Sequence, residues 1–579
     1  MSRVSAKPWS NLQPYRPRRF VPPSIDWGDW AQVEPYFDEL DRRVAAATNP
    51  AELERWLLDW GEISAALDEE QARRYVAMTC QTDDAAAEQA YLRMVEEIEP
   101  RTKPRHFRLE QAYLAHPQRK GLPDGRYAVY DRATQAHVEL FREANVPLET
   151  EEAKVGQQYQ KLSGSLTVQF RGEERTLVQM GRLLEETDRT LRQEAWELVM
   201  RRRLAERDRF EDLFDELLRL REAQARNAGF ENYRDYAFRR LGRFDYGPAE
   251  CLAFHEAVEQ EVMPLVRQFQ AERRGQLGLD SLRPWDLAVD PLGRAPLRPF
   301  DAASQLVGRT QLIFDRMDPA LGNAFRTLDR MGLLDLENRK GKAPGGYLQP
   351  LGESRLAFIF MNAVGVHRDV ETLLHEAGHA FHALATQPED FYPYRNAPIE
   401  FCEVASMSME LVGQTSLDAF YPEAEGTRAR RTHLEGVIGF FPWMATVDAF
   451  QHWIYTHPGN DRIARRAVWR ELMLRFGGEV DWQGYEEGRD HSWHRQLHIF
   501  LHPFYYVEYG IAQLGALQVW RNYRNDPGAA LRAYRDALAL GGSRPLPDLF
   551  AAAGARFDFS RAAVRPLMAM AREAMAQAE

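Results

Sequence analysis

The sequence predicts a mainly helical protein, and three observations carry that prediction. Long charged segments place apolar residues at three- and four-residue steps, strand signals are sparse, and no internal repeat marks a solenoid. The chain has 579 residues, enough for about four ordinary domains, and its 44% apolar and 28% charged content is that of a globular protein rather than a disordered one. A net charge of −12 argues against general affinity for nucleic acid or an anionic membrane. Cys80, Cys251 and Cys402 stand far apart in no metal-binding spacing, so no disulfide framework is expected and a reducing compartment fits.

The N-terminus carries charges and prolines where a secretion signal needs an apolar run, and a cytoplasmic location is the expectation. Helical periodicity then covers Asp41 to Leu67, Glu88 to Ala115 and Leu183 to Ala228. Between them, Leu166, Val168 and Phe170 alternate before Gly172 and Thr176, which predicts a hairpin over Ser165 to Val178. The run Arg201, Arg202, Arg203 sits among Glu197, Glu206 and Asp208 and reads as a solvated helix face. A connection with Pro284, Pro291, Pro296 and Pro299, and the Gly/Pro/Lys cluster at 340–346, are loops; Leu356 to Asn362 is a short buried or edge strand. Gly436 to Val447, interrupted by Pro442, is too short to span a bilayer and reads as a buried helix pair.

Histidine placement directs attention to one region. An even spread of the 15 histidines would put about 3.5 between Val366 and Phe504, but 11 lie there. Within it, His375-Glu376-Ala-Gly-His379 is His-Glu-x-x-His in a helical pattern. One turn separates the histidines, so both imidazoles project from one face and can share a zinc ion. Glu376 is rotated by about 100°, beside the metal rather than on it, where it can accept a proton from an attacking water.

A catalytic zinc wants a third protein ligand. The metzincin extension fails, because its Gly and His positions hold His382 and Ala385. A new helix opens near Pro398, with Glu403, Ser406, Met407 and Glu410 along one face, and Glu403 is the third ligand. Glu400 or Glu410 can hydrogen-bond the distal N–H of a ligand imidazole. Cys402 and His382 read as structural. Further on, Pro503 marks a helix start that puts Tyr506, Tyr509 and Gln513 on one face with His502 at its end. Phenol and imidazole donors of this kind stabilise the oxyanion of a peptide-hydrolysis transition state.

These residues resemble the oligoendopeptidase F branch of the thimet oligopeptidase family of zinc metallopeptidases. The resemblance is carried by His375-Glu-Ala-Gly-His379 with Phe401-Cys-Glu403-Val-Ala-Ser406. It is supported by the glycine-rich stretch Asp335 to Tyr347, by Arg221 to Tyr233 and by Leu540 to Phe550, and it runs from about Gln157 to the C-terminus. It implies two helical lobes around a deep central channel, with a small β-sheet near the site: an N-terminal lobe over 1–185 ending near the hairpin, and a catalytic region over 186–579. It implies one zinc per chain on His375, His379 and Glu403, Glu376 as catalytic carboxylate, and Tyr509 as oxyanion donor assisted by either His498 or His502. Tyr506, Gly346 and Phe360 become substrate contacts, the strand around Phe360 being the edge on which a peptide adds its backbone hydrogen bonds. The activity so implied is cleavage of internal bonds in short unstructured oligopeptides. The rivals are an exo-acting relative, gripping the substrate's C-terminal carboxylate with a cation, and a non-catalytic helical peptide-binding protein.

Overall fold

The computed structural model describes residues 12–123 and 125–577; the first residues of the N-terminal stretch read above for a leader lie outside them. Among the described residues the protein is mainly helical, with five short strands in two sheets. The chain opens with α1 (Trp30–Ala46) and α2 (Pro50–Cys80). Helical periodicity crosses 41–67, but Asn49 breaks it: its side chain accepts from the Glu52 N–H at 3.0 Å, and Pro50 takes the first helical position, where no N–H is needed. Val33, Phe37 and Leu40 share one face of α1 and meet Trp56, Trp60 and Tyr113 in a smaller core. The far end of α2, through Ala72, Val76 and Cys80, enters the larger core. Helix α3 (Val146–Gly164) leads into the hairpin β1 (Thr167–Phe170) and β2 (Glu173–Thr176). Its two turn residues, Arg171 and Gly172, both have positive φ, which matches the twist of the paired strands. Helices α4 (Arg189–Leu204), α5 (Arg207–Asn227) and α6 (Pro248–Glu261) follow.

The second sheet has the order β3 (Leu334–Glu337), β5 (Leu356–Ala363), β4 (Tyr347–Leu351), parallel then antiparallel. This corrects the expectation for Phe360. Its strand is paired on both sides, and its ring, with no exposed surface, stacks on Tyr347. The open edges belong to β3 and β4, and β4 lines the cavity described below. The loop between β3 and β4 is pinned from within: buried Lys342 donates to Asp335 Oδ1 at 2.9 Å, and Asn362 donates to the Ala343 and Gly345 carbonyls at 2.9 and 2.8 Å.

Behind this sheet lie α7 (His367–Ala385) and α8 (Ile399–Gly413). Gly378 lets them touch: a Cβ there would stand 2.5 Å from the Ser406 Cα and 2.6 Å from the Ala405 oxygen. Forcing a methyl into that contact costs about 1–3 kcal/mol. Where a helix pair was expected over 436–447, a single helix α9 (Glu423–Thr456) runs straight through Pro442. Its buried face, with Val437, Ile438, Phe441 and Met444, outweighs the one hydrogen bond the proline forgoes. Helix α10 (Tyr506–Asn525) starts three residues later than Pro503 suggested. Phe504 adopts positive φ, its N–H donates to Gln451, and its carbonyl accepts from Arg243, so the chain makes a turn before the helix begins. No helix among the described residues is long and apolar enough to cross a membrane.

Candidate metal centre and its cavity

A cavity of about 1230 Å³ opens between α2, α3, the β4 edge and the α7–α8 pair. On its wall the α7–α8 contact brings His375, His379 and Glu403 together. Each imidazole Nε2 lies 3.3 Å from Glu403 Oε2, and the two rings stand 4.8 Å apart at 84°. Ligands bound at about 2.0–2.1 Å in tetrahedral geometry stand about 3.3 Å from one another. The three donors therefore fit one zinc ion. Glu410, two turns beyond Glu403, accepts from His375 Nδ1 at 2.6 Å, which leaves the Nε2 lone pair facing Glu403. Glu400 does not share this task. It makes no bond to either imidazole and instead accepts from the Tyr246 hydroxyl at 2.6 Å.

Glu403 is almost fully buried, and both its oxygens are engaged. Ser406 Oγ lies 2.9 Å from Oε2, and the Tyr505 hydroxyl donates to Oε1 at 2.6 Å. Burial works against its charge, but the imidazoles of His379 and His375 hold its carboxyl well below the ordinary range. Glu376 is different. It is 5% exposed, its Oε2 has no hydrogen-bond partner among the described residues, and burial pushes its carboxyl above the usual value. Gly346 faces it: a Cβ there would stand 3.2 Å from Glu376 Oε1, so glycine keeps this carboxylate free to move.

Of the two histidines left open, His498 meets Tyr509, with Nε2 3.2 Å from the hydroxyl. Its tautomer follows from a chain of donors. The Trp443 indole can only donate, and it does so to Gln496 Oε1 at 3.0 Å; Gln496 Nε2 then donates to His498 Nδ1 at 2.8 Å. His498 therefore carries its proton on Nε2 and gives it to Tyr509, whose own O–H is free to point into the cavity. Burial lowers the His498 pKa to about 3, so the ring stays neutral. His502 also lines the cavity, but its ring is 6.0 Å from that of His498 and it makes no bond to Tyr509.

Tyr506 packs between Phe440 and His498 rather than lining the cavity; Tyr505 and Tyr509, one turn apart, do line it. The late start of α10 is the reason. Tyr505 and Gln496 are cavity residues that the sequence does not single out, although the four-residue spacing of Tyr505 and Tyr509 is a visible signal. His382, with both ring nitrogens unpartnered among the described residues, and Cys402 stand on the same wall.

The model of peptidase family M3 matches residues 182–305 and 320–568, and that of the peptidase M3 N-terminal domain matches residues 25–141. The chain belongs to peptidase family M3. Oligopeptidase PepF of Bacillus subtilis (strain 168) is 26% identical over 305 residues, covering 50% of this chain and 43% of that protein. The chromosomal oligoendopeptidase F of Lactococcus lactis subsp. cremoris is 35% identical over 77 residues, 13% of each chain. The matched stretches thus span less than half of these relatives. Among solved structures, PZ peptidase A with an inhibitor superposes with a TM-score of 0.92 at 26% identity, over 98% of this chain and 99% of that one. Family M3 membership, on the oligoendopeptidase F branch, and the two-lobed helical fold agree with the resemblance read from the sequence.

Proposed function

We propose that this member of family M3 is a zinc-dependent oligoendopeptidase that cuts internal bonds of short unstructured peptides. One observation carries the reading: a buried, uncommitted carboxylate, Glu376, stands beside three converging ligand atoms on the wall of a peptide-sized cavity. A zinc ion held by His375, His379 and Glu403, one per chain, would supply Lewis-acid polarisation of the scissile carbonyl and a lowered pKa for water. Glu376 accepts the proton of the attacking water and returns it to the leaving amine, and its raised carboxyl pKa favours the uptake. Tyr509 donates its free O–H to the carbonyl oxygen as negative charge builds there, held in place by His498. Tyr505 and Ser406 fix Glu403, and Glu410 fixes His375. The open edge of β4, next to Gly346, lines the cavity, and an extended peptide adds there as a further strand. Three free cysteines, two of them buried, fit a reducing compartment, and we place the enzyme in the cytoplasm.

Mass spectrometry of products from a mixed library of N-acetylated, C-amidated peptides tests this. Internal cuts that stop with a chelator and return with zinc are expected. Cleavage confined to the C-terminal residues of a matched library with free C-termini would identify an exo-acting enzyme. No cleavage at all, with well under one zinc bound per chain after reconstitution, would leave a peptide-binding protein.

A further inference from the structure

Among the described residues, nine Lys and Arg side chains line the cavity. Seven are engaged: with Glu99 and Glu149, Glu152, Asp335 or Asp390, with Gln224, or with backbone carbonyls. Arg203 and Arg495 are not. Among the described residues neither has a carboxylate within 4.0 Å or a side-chain hydrogen bond. This corrects the reading of the triple-arginine run: Arg201 and Arg202 pair with Glu197 and Glu206 on the surface of α4, but Arg203 turns the other way, into the cavity. Arg495 lies three residues before His498, its guanidinium 5.0 Å from the centroid of the Trp443 ring.

We propose that Arg203 and Arg495 form a subsite on the cavity wall for a carboxylate of the bound peptide, either its C-terminal group or an acidic side chain. Two guanidinium groups that line one cavity without a counter-ion repel each other; burial, and more weakly Arg495, bring the Arg203 pKa down to about 10. A carboxylate relieves both costs, and its planar pair of oxygens matches the guanidinium fork. The Trp443 ring orients one fork without neutralising it. Because Arg495 and His498 share one short segment, a peptide anchored there is registered against the hydroxyl of Tyr509.

The inference rests on the peptidase reading, and the test separates the two. Four fluorescent peptides are compared: a free-acid and an amidated C-terminus on a neutral sequence, and an internal Glu or Gln on an amidated one. At least one acidic member should exceed its neutral partner about tenfold in kcat/KM, mainly through KM, and the pair that responds identifies the source of the carboxylate. In R203Q/R495Q the ratio should fall to about one, and R203K/R495K should recover part of it. Equilibrium binding of the same peptides to the E376Q variant, by anisotropy, reads the ratio without turnover. Ratios near one in both pairs with the wild-type arginines, or an unchanged ratio in a folded R203Q/R495Q protein, would overturn the subsite. Absence of all cleavage with the binding ratio intact would overturn the peptidase reading instead.

Discussion

Among the described residues, two clusters have the residue types and spacing of a metal site, and they differ in everything else. His375 and His379 stand one turn apart on α7 and meet Glu403. Cys251 and His255 stand one turn apart on α6 and meet Asp448 and His452, one turn apart on α9. In each, three ligand atoms lie within 4.8 Å of one another. The first cluster faces the cavity, with imidazoles 15–17% exposed, and has the uncommitted Glu376 and the Tyr509 hydroxyl at its side. The second is sealed in the larger core: Asp448, with no exposed surface, accepts from His255 at 2.8 Å and lies 3.3 Å from His452. Helical spacing finds donors that can converge. Access and a free base separate a reactive site from a core ion pair.

That contrast can be broken from either side. The largest effect is expected in the core: Asp448→Ala leaves two imidazoles without their carboxylate and should cost about 3–5 kcal/mol in urea unfolding, without changing bound zinc per chain. Loss of zinc in D448A would make the second cluster a metal site after all. The same carboxylate gives a pH signature. Burial opposes its charge, but His452 and His255 hold its pKa below the ordinary value, so its contribution is full above about pH 3.9 and is lost as pH falls further toward the folded value. The acid unfolding of D448A should be correspondingly less steep.

On the cavity side, Tyr509→Phe should lower kcat by about 10²–10³-fold with zinc retained; an unchanged kcat would remove Tyr509 from the oxyanion. Glu410→Ala releases His375 Nδ1 and should weaken zinc binding by about 10–100-fold in a competitive chelator titration. Glu400→Gln should leave zinc affinity within about threefold, since its partner is Tyr246 rather than an imidazole.

Much of the cavity cluster was legible from sequence because its parts lie close along the chain. The i, i+4 histidines, the intervening Glu376 and the Glu403–Glu410 face follow from one periodicity and need no knowledge of distant segments. What was not legible depends on partners far away. Glu400 and Glu410 are equivalent by spacing, and only Tyr246, 154 residues upstream of Glu400, separates them. Phe360 sits on a central strand because β3 and β4 flank it, which its own residues do not encode. The left-handed Phe504 shifts the start of α10 and exchanges Tyr506 for Tyr505 at the cavity, a change set by Gln451 and Arg243. Arg203 reads as surface beside its acidic neighbours because helical periodicity does not reveal which face a cavity will meet. The crowding of histidines was only half a signal: five of the 11 line the cavity, and His452 belongs to the sealed cluster.

The central claim, that an uncommitted Glu376 beside three converging ligands makes this a metallopeptidase, is tested most directly by measuring zinc content and peptide turnover on one preparation of Glu376→Gln. One zinc per chain is expected, as in the wild type, with turnover reduced by about 10²–10⁴-fold. Wild-type turnover in that variant would contradict it.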